Sequence, residues 1–178
     1  MTIFGRDTLI TAYQMLLTAP RLAKGALRVL AALQGRTRDD FRDEEPGKIL
    51  HELRAGRLTV SGERPHDPYY GSVDATPLWL VVLAEYAKLT ADERLVRELW
   101  PSVTRAMAWI DRTIEAGGGF VRYRTRSPKG LRNQGWRDSG DGVQFADGTP
   151  AEPPIALCEV QGYVYDAKVR TRRVSRGT

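Results

Sequence analysis

The sequence TPLWLVVLAEYAKL at residues 76–89 has the clearest helix signal in the chain. Proline is favoured at the first position of a helix, and threonine is a common capping residue just before it. Thr76 and Pro77 therefore mark a helix start, and the apolar run behind them predicts a helix over residues 77–89. A second helix is predicted to follow after a short connection and to end at the glycines of residues 117–119.

Helical periodicity also dominates on both sides of this segment. Weaker signals predict one or two helical turns within residues 48–56 and short strands at 57–60 and 120–124. Five or six helices, joined by connections that alternate between short and long, predict an all-α fold built from antiparallel helix hairpins. The predicted helices cover residues 7–17, 21–33, 77–89, 92–115 and 154–168, with Pro101 starting a new segment. The apolar side of the first helix is predicted to be Leu9, Ile10, Tyr13, Leu16 and Leu17.

The composition predicts one globular domain, because the 178 residues are 42% hydrophobic and include four tryptophans. No apolar run approaches the roughly 18 residues that a membrane span needs, and the N-terminus has no signal-peptide core. The one cysteine, Cys158, excludes an internal disulfide framework, and its apolar surroundings predict a core position. We therefore expect a cytoplasmic protein that does not associate with membranes.

The net charge of +5 comes from the end of the chain. Residues 168–178 contain five basic side chains and no acid, whereas the other 22 basic residues balance the 22 acidic ones. Such a tail can contact nucleic acid or a membrane surface, but we interpret it as a solvated end and expect no nucleic-acid partner. The predicted organisation is a folded domain over residues 1–167 and a basic, disordered tail over residues 168–178.

Four stretches with loop-like composition mix aromatic rings with carboxylates, amides or arginine. Aromatic faces stack on sugar rings, polar side chains match sugar hydroxyls, and glycoside hydrolysis uses a pair of carboxyl groups. The composition is compatible with a carbohydrate cleft, although pockets of other kinds share it. The stretches are FGRD (4–7), YYGSVDATPLW (69–79), NQGWRDSGD (133–141) and LCEVQGY (157–163).

Other chemistries find little support in the sequence. His51 and His66 stand fifteen positions apart without a partner histidine nearby, so we predict no metal site. The sequence contains no G-x-S-x-G motif and no phosphate-binding loop, and we expect no cofactor.

Five longer words make the sequence resemble the bacterial amylo-alpha-1,6-glucosidase, or glycogen debranching, family. The resemblance spans residues 3 to about 167 and implies a catalytic domain related to the (α/α)6 barrel of glucoamylases. In intact relatives such a domain hydrolyses alpha-1,6-glucosidic bonds of a glycogen-like alpha-glucan, with inversion at the anomeric carbon. The words, in order, are FGRDTLI, EEPGKILHELR, YYGSVDATPLW, NQGWRDSGD and PIALCEVQGYVYDA.

The resemblance assigns roles to individual residues. Asp138 is implied as the general acid that protonates the glycosidic oxygen, with Asp141 as the alternative, and Trp136 as the wall of the site. Both Asp7 and Asp74 are open to a second interpretation as helix caps, and Glu159 to one as a buried ion pair. The residues implied as substrate-binding are Arg6, Asp7, Tyr70 (as a stacking face), Asp74, Trp136, Asp141, Glu159 and Gln161.

The chain also departs from the family pattern. The resemblance places the water-activating base beyond this sequence, and about six helices cannot close a ring of twelve. We therefore expect a partial (α/α)6 barrel with little hydrolysis of its own. The alternatives are a catalytically dead remnant that at most binds glucans, and a protein that self-associates or is completed by a separate C-terminal half.

Overall fold

A computed structural model describes residues 2–54, 65 and 67–177, and this part of the chain is mostly helical. The one two-stranded sheet among these residues pairs β1 (Thr2–Phe4) antiparallel with β2 (Glu52–Arg54), with Thr2 opposite Arg54. A short 3₁₀ helix lies between the second helix and β2. The five α-helices are α1 (Gly5–Gln14), α2 (Pro20–Ala32), α3 (Ala75–Thr90), α4 (Glu93–Ala116) and α5 (Cys158–Gly177).

Helix α3 is the centre of the fold. It packs against α1, α2, α4 and α5, and most of its residues from Ala75 to Tyr86 are buried. An apolar helix that is covered on nearly every face belongs in a core, which is what the sequence at 76–89 predicts. Trp79 is fully buried, and its indole N–H donates to the carbonyl of Leu27 at 3.1 Å, which ties α3 to α2.

The predicted cap of α3 is wrong. The helix begins at Ala75, so Thr76 lies inside its first turn, and its hydroxyl accepts from the buried backbone N–H of Ile49 at 2.9 Å. Ser72 supplies the cap instead, because its hydroxyl oxygen accepts from the N–H of Ala75 at 3.2 Å. Thr76 therefore fixes the segment before β2 against the helix.

Pro101 does not start a new helix. Helix α4 runs through it from Glu93 to Ala116, begins with Asp92 accepting from the N–H of Leu95 at 3.1 Å, and ends at Gly117. A proline inside a helix costs about 3 kcal/mol. The buried face continues on both sides of the proline, so packing outweighs this cost. The buried face comprises Leu95, Val96, Leu99, Ser102, Val103, Ala106, Trp109 and Ile110.

Two weaker secondary-structure predictions are corrected by the structure. Residues 52–54, predicted as helical, form β2, because pairing with β1 satisfies their backbone. In the predicted strand at 120–124, the structure shows an isolated bridge between Tyr123 and Ile155. The strand predicted at 57–60 lies outside the described residues.

The buried side of α1 also differs from the predicted one. Ile10, Tyr13 and Leu17 are exposed, with 84% of Leu17 accessible. Leu9 and Leu16 are buried, but they share their side with Gly5, Arg6 and Ala12. The side chain of Arg6 points into the protein, and hydrophobic periodicity alone does not predict a buried arginine.

In the structure α5 continues to Gly177, through most of the segment that the sequence predicts as a disordered tail. Arg170 forms ion pairs with Glu85 of α3 and with Asp166 one turn earlier. Lys168 lies 2.6 Å from Asp111 of α4. Two of the basic residues, Lys168 and Arg170, thus pair with acids on neighbouring helices. No helix among the described residues is long and apolar enough to cross a membrane.

Candidate active site

Arg6 is placed by the tight junction between β1 and α1. The N–H of Gly5 donates to the carbonyl of His51 at 2.8 Å, which brings the start of α1 against the segment before β2. A side chain at position 5 would collide with the backbone carbonyl of Leu50, so only glycine allows this approach. Arg6 follows in the first turn and points into the domain, with 9% of the residue accessible.

The Arg6 guanidinium joins three distant parts of the chain. Its Nη1 donates to Asp74 Oδ2 at 3.1 Å and to the carbonyl of Gly135 at 2.8 Å. Its Nη2 donates to Asp138 Oδ2 at 3.2 Å, and Nε lies 3.7 Å from the carboxylate of Asp7. We call these five residues the Arg6 cluster. The guanidinium therefore brings the words FGRD, SVDAT and GWRD together.

Electrostatics keep Arg6 charged in this setting. Burial by itself would lower the pKa of its guanidinium, but the carboxylates of Asp74, Asp138 and Asp7 outweigh burial and raise it. The planar fork of arginine suits this arrangement, because it can donate in several directions at once. Arg6 is thus a fixed cation around which the acids are arranged.

Asp74, which the resemblance implies as a sugar contact, is sealed from solvent in the structure. One carboxylate oxygen accepts from Arg6, the other accepts from the Ser72 hydroxyl at 2.5 Å, and 1% of the residue is accessible. It does not cap α3 with its side chain either. Its geometry is that of a positioning residue for Arg6.

Asp138 and Trp136 form the open side of the Arg6 cluster. The Asp138 side chain is 42% accessible, and its hydrogen bond from Arg6 uses Oδ2. Trp136 is 56% exposed, and the Arg137 guanidinium lies 4.9 Å from its ring centre. The loop that carries them is held from inside, because Asn133 is buried and donates to the carbonyl of Ser139 at 2.5 Å. An aromatic ring and a carboxylate, two positions apart in one loop, are thus both accessible to solvent.

Two of the predicted substrate contacts have structural roles instead. Tyr70 is 4% accessible and donates to the carbonyl of Leu33 at 2.8 Å, so its ring is not a stacking face. Burial raises the pKa of Tyr70 to about 12, so the hydroxyl stays protonated. Gln161 joins α5 to the segment after α4, since it both donates to and accepts from the backbone of Val121. Polar residues in a motif can serve the scaffold as readily as a ligand.

The remaining predicted residues lie on the surface around the Arg6 cluster. Asp7 and Asp141 are exposed, and the structure gives no hydrogen bond to the Asp141 side chain. Glu159 is half-buried and lines a cavity of about 290 Å³ together with Trp136 and Leu157, so the buried ion pair considered for it is not formed. The wall of this cavity includes Trp136 and Arg137, which lie between Gly135 and Asp138 in the sequence.

Sequence reasoning missed two residues beside the Arg6 cluster. His51 is 6% accessible, packs edge-on against Phe4 and Tyr69, and its Nδ1 has no hydrogen-bond partner within the described residues. Burial lowers the pKa of His51, so the ring is neutral. Burial also raises the pKa of Tyr163, which lies within the field of Asp74 and Glu159. Both residues belong to the quoted words, but periodicity gave no reason to select them.

The described residues contain no group of three or more metal-binding side chains that could hold a metal ion. His66, the other histidine of the chain, lies outside the described residues. Cys158 is exposed at the start of α5, so its predicted core position is wrong. A cavity of about 680 Å³ between α3, α4 and α5 contains none of the predicted site residues.

All five residues of the Arg6 cluster lie within the sequence words that resemble the debranching family. Comparison of the chain with protein-family models and with curated protein sequences gives no match. The family resemblance therefore stays a prediction that depends on the five words alone.

Proposed function

We propose that the chain is a glycoside hydrolase-type domain for alpha-glucans, with the Arg6 cluster at the bottom of its glucose-binding site. The supporting observation is that one buried guanidinium gathers residues 68, 129 and 132 positions away in sequence. Together with Arg6 itself, these residues come from three of the five words that resemble the debranching family. The partly formed (α/α)6 barrel and a cytoplasmic location belong to the same proposal.

The open side of the Arg6 cluster has the groups that a glucose unit needs. The exposed ring of Trp136 offers a stacking surface, and the carboxylates of Asp138 and Asp7 offer acceptors for sugar hydroxyls. Arg6 fixes the position of Asp138 because Asp74 and the Gly135 carbonyl hold the guanidinium from behind. Preorganised polar groups of this kind bind a ligand without a large ordering cost.

In the proposed reaction Asp138 protonates the glycosidic oxygen while a second carboxylate activates a water molecule. In inverting enzymes the two carboxyl groups stand roughly 6.5–9.5 Å apart, so that the water fits between them. Asp74 is unsuited to the second role because both of its oxygens are engaged and buried. Glu159, a partly accessible acid that lines a cavity together with Trp136, is the candidate within this chain.

A second candidate function is glucan binding without hydrolysis. It is favoured by the ion pair between Arg6 and Asp138, because a carboxylate that accepts from a guanidinium is poorly placed to act as a proton donor. The same residues would then hold a sugar while no bond is cleaved. Both functions predict the same binding site.

Assays of release and of binding, run side by side, distinguish the two functions. Wild-type chain is incubated with a branched alpha-glucan and released glucose is measured, while binding of a short branched oligosaccharide is followed by calorimetry. Release that Asp138→Asn abolishes supports hydrolysis, and binding without release supports the second function. Absence of both binding and release would contradict the proposal.

A further inference from the structure

A second polar cavity, of about 470 Å³, lies behind the Arg6 cluster. Its walls come from the segment around residues 38–48, from the last turns of α4, and from residues 122–126. Gln134 lines this cavity, whereas the next residue, Gly135, turns its carbonyl to Arg6. The two sites thus use adjacent residues of one loop segment, and we call the second one the basic cavity.

Positive charge dominates the basic cavity. Six lining side chains are cationic and two are acidic. One of the two acids, Asp43, is committed elsewhere, because its oxygens accept from the Tyr69 hydroxyl, the Gln134 amide and the N–H groups of Arg126 and Ser127. The other acid, Glu45, lies 3.3 Å from Arg126 and 3.9 Å from Lys48. A net excess of four positive charges remains around the cavity.

Three arginines at its rim have no carboxylate within ion-pair distance among the described residues. Arg112 donates to the carbonyl of Pro46 at 2.6 Å, and Arg124 donates to the carbonyl of Pro153 at 2.8 Å. Arg122 lies over the ring of Phe120, 5.9 Å from its centre. All three side chains keep further N–H donors for a ligand, since a guanidinium carries five.

The inner wall of the basic cavity contributes hydrogen-bond donors that lack a full set of acceptors. Lys48 is 4% accessible, and the one hydrogen bond shown for its ammonium group goes to the carbonyl of Asp43 at 3.3 Å. Burial lowers the pKa of Lys48, with Glu45 and Asp43 opposing that effect. Trp109 also lines the cavity, and its indole N–H has no acceptor within the described part of the chain. Buried donors without acceptors are rare in proteins and call for an explanation.

We propose that the basic cavity binds a small ligand that carries a phosphate group, held at the rim by Arg112, Arg122 and Arg124. Guanidinium groups pair with phosphate oxygens in a bidentate manner, and one dianionic phosphate would satisfy several of them. The cavity volume lies within the range of small-molecule sites. This inference is independent of the proposed glucan site.

Calorimetric titration of the whole chain at low salt tests this proposal with two probes. Inorganic phosphate represents the free ion, glucose 6-phosphate represents a phosphate ester, and glucose is the uncharged control. We expect phosphate-dependent binding, with the ester tighter if the cavity also contacts the organic part. Equal affinity for the two probes would assign the site to the phosphate group alone, and binding of neither at millimolar concentration would overturn the proposal.

Arginine variants test whether phosphate binds in the basic cavity. Arg112→Gln and Arg124→Gln should each weaken phosphate binding about tenfold, and the double variant about a hundredfold. The matched control is Arg21→Gln, which removes an exposed arginine in the first turn of α2 and should leave affinity unchanged. Circular dichroism of each variant confirms folding. Unchanged affinity in the double variant would place the phosphate elsewhere, and tighter binding of a single-stranded oligonucleotide than of both probes would replace the proposal with a nucleic-acid site.

Discussion

Two buried charges hold the long loop between α4 and α5, and they do so in opposite ways. Arg6 is a cation that collects acceptors from Asp74, Gly135 and Asp138. Asp43 is an anion that collects donors from the Tyr69 hydroxyl, the Gln134 amide and two backbone N–H groups. The Asp43 site is closed, because 3% of the residue is accessible and its hydrogen bonds are internal.

The Arg6 cluster is closed on one side only. Asp74 is sealed behind the guanidinium, whereas 42% of Asp138 and 67% of the Asp7 side chain are accessible in front of it. A buried charge whose hydrogen bonds are all internal stabilises the fold, whereas a buried charge with solvent-exposed partners can also take part in ligand binding. The comparison predicts that substitutions at Asp43 affect stability rather than glucan binding, and that substitutions in the Arg6 cluster affect both stability and glucan binding.

The largest effect is expected for Asp43→Ala. It leaves four donors without their acceptor in a buried site, and we expect the free energy of unfolding to fall by about 4 kcal/mol. Asp43 also has a left-handed backbone (φ 50°), which asparagine tolerates better than alanine, so Asp43→Asn should cost less. Chemical denaturation measures both, with the exposed Asp40→Asn as control. A loss below about 1 kcal/mol for Asp43→Ala would contradict the interpretation of Asp43 as a closed, internally hydrogen-bonded site.

Arg6→Ala should follow, with a loss of about 3 kcal/mol, because it leaves the buried Asp74 carboxylate without its cation. Arg6→Lys keeps the charge but loses the fork, so it should restore only part of the stability. Denaturation of both variants gives the comparison. Equal stability of Arg6→Lys and wild type would show that the fork geometry has no role.

The helical part of the fold could be predicted from sequence because it depends on local signals. The apolar run at 76–89 and the glycines at 117–119 place α3 and the end of α4 correctly. Errors arose where tertiary contacts outweigh local preference: Pro101 stays within α4 because its helix face is buried, and residues 52–54 pair with β1. The charged tail is helical because its partners lie on other helices.

The site was only partly predictable. The residues that meet at Arg6 could be chosen as site candidates because their sequence stretches share one composition, which mixes aromatic rings with carboxylates, amides or arginine. Sequence could not show that Tyr70 and Gln161 face the scaffold, since their orientation depends on the Leu33 and Val121 backbones. The role of Asp43 has no sequence signal either, because its four partners come from segments up to 91 positions away.

A smaller effect is expected at the end of α5. Arg170 joins Glu85 and Asp166 in a partly buried position, so Arg170→Gln should lower the free energy of unfolding by about 1 kcal/mol. Thermal denaturation measures the change, with Arg97→Gln, from an exposed pair, as the control. A melting temperature equal to that of wild type would support the earlier expectation of a dispensable tail.

The smallest effect concerns pH. A hydrogen bond from Lys24, together with one from the N–H of Leu95, lowers the pKa of Asp92 to about 2. A folded pKa below the unfolded value of about 3.8 stabilises the protein above pH 4, and this contribution disappears as the pH falls towards 2. Asp92→Asn keeps an oxygen for the cap but removes the charge. Its stability should therefore fall less than that of wild type between pH 5 and 3, as measured by denaturation at both values.

The most direct test of the account is glucan binding by variants of the open side of the Arg6 cluster. Calorimetry with a short branched alpha-glucan should show binding to the wild type, and Trp136→Ala should weaken it at least tenfold, because the variant removes the stacking surface of the proposed site. For comparison, stacking of a nucleic-acid base on an aromatic side chain is worth about 1–3 kcal/mol. The control is Tyr165→Ala, which removes another exposed ring that lines a different cavity. Asp138→Asn should reduce affinity and lower the free energy of unfolding less than Arg6→Ala does, because the Asp138 side chain is 42% accessible. Binding that Trp136→Ala and Asp138→Asn leave intact, or no binding by the folded wild type, would contradict the assignment of the Arg6 cluster as a sugar site.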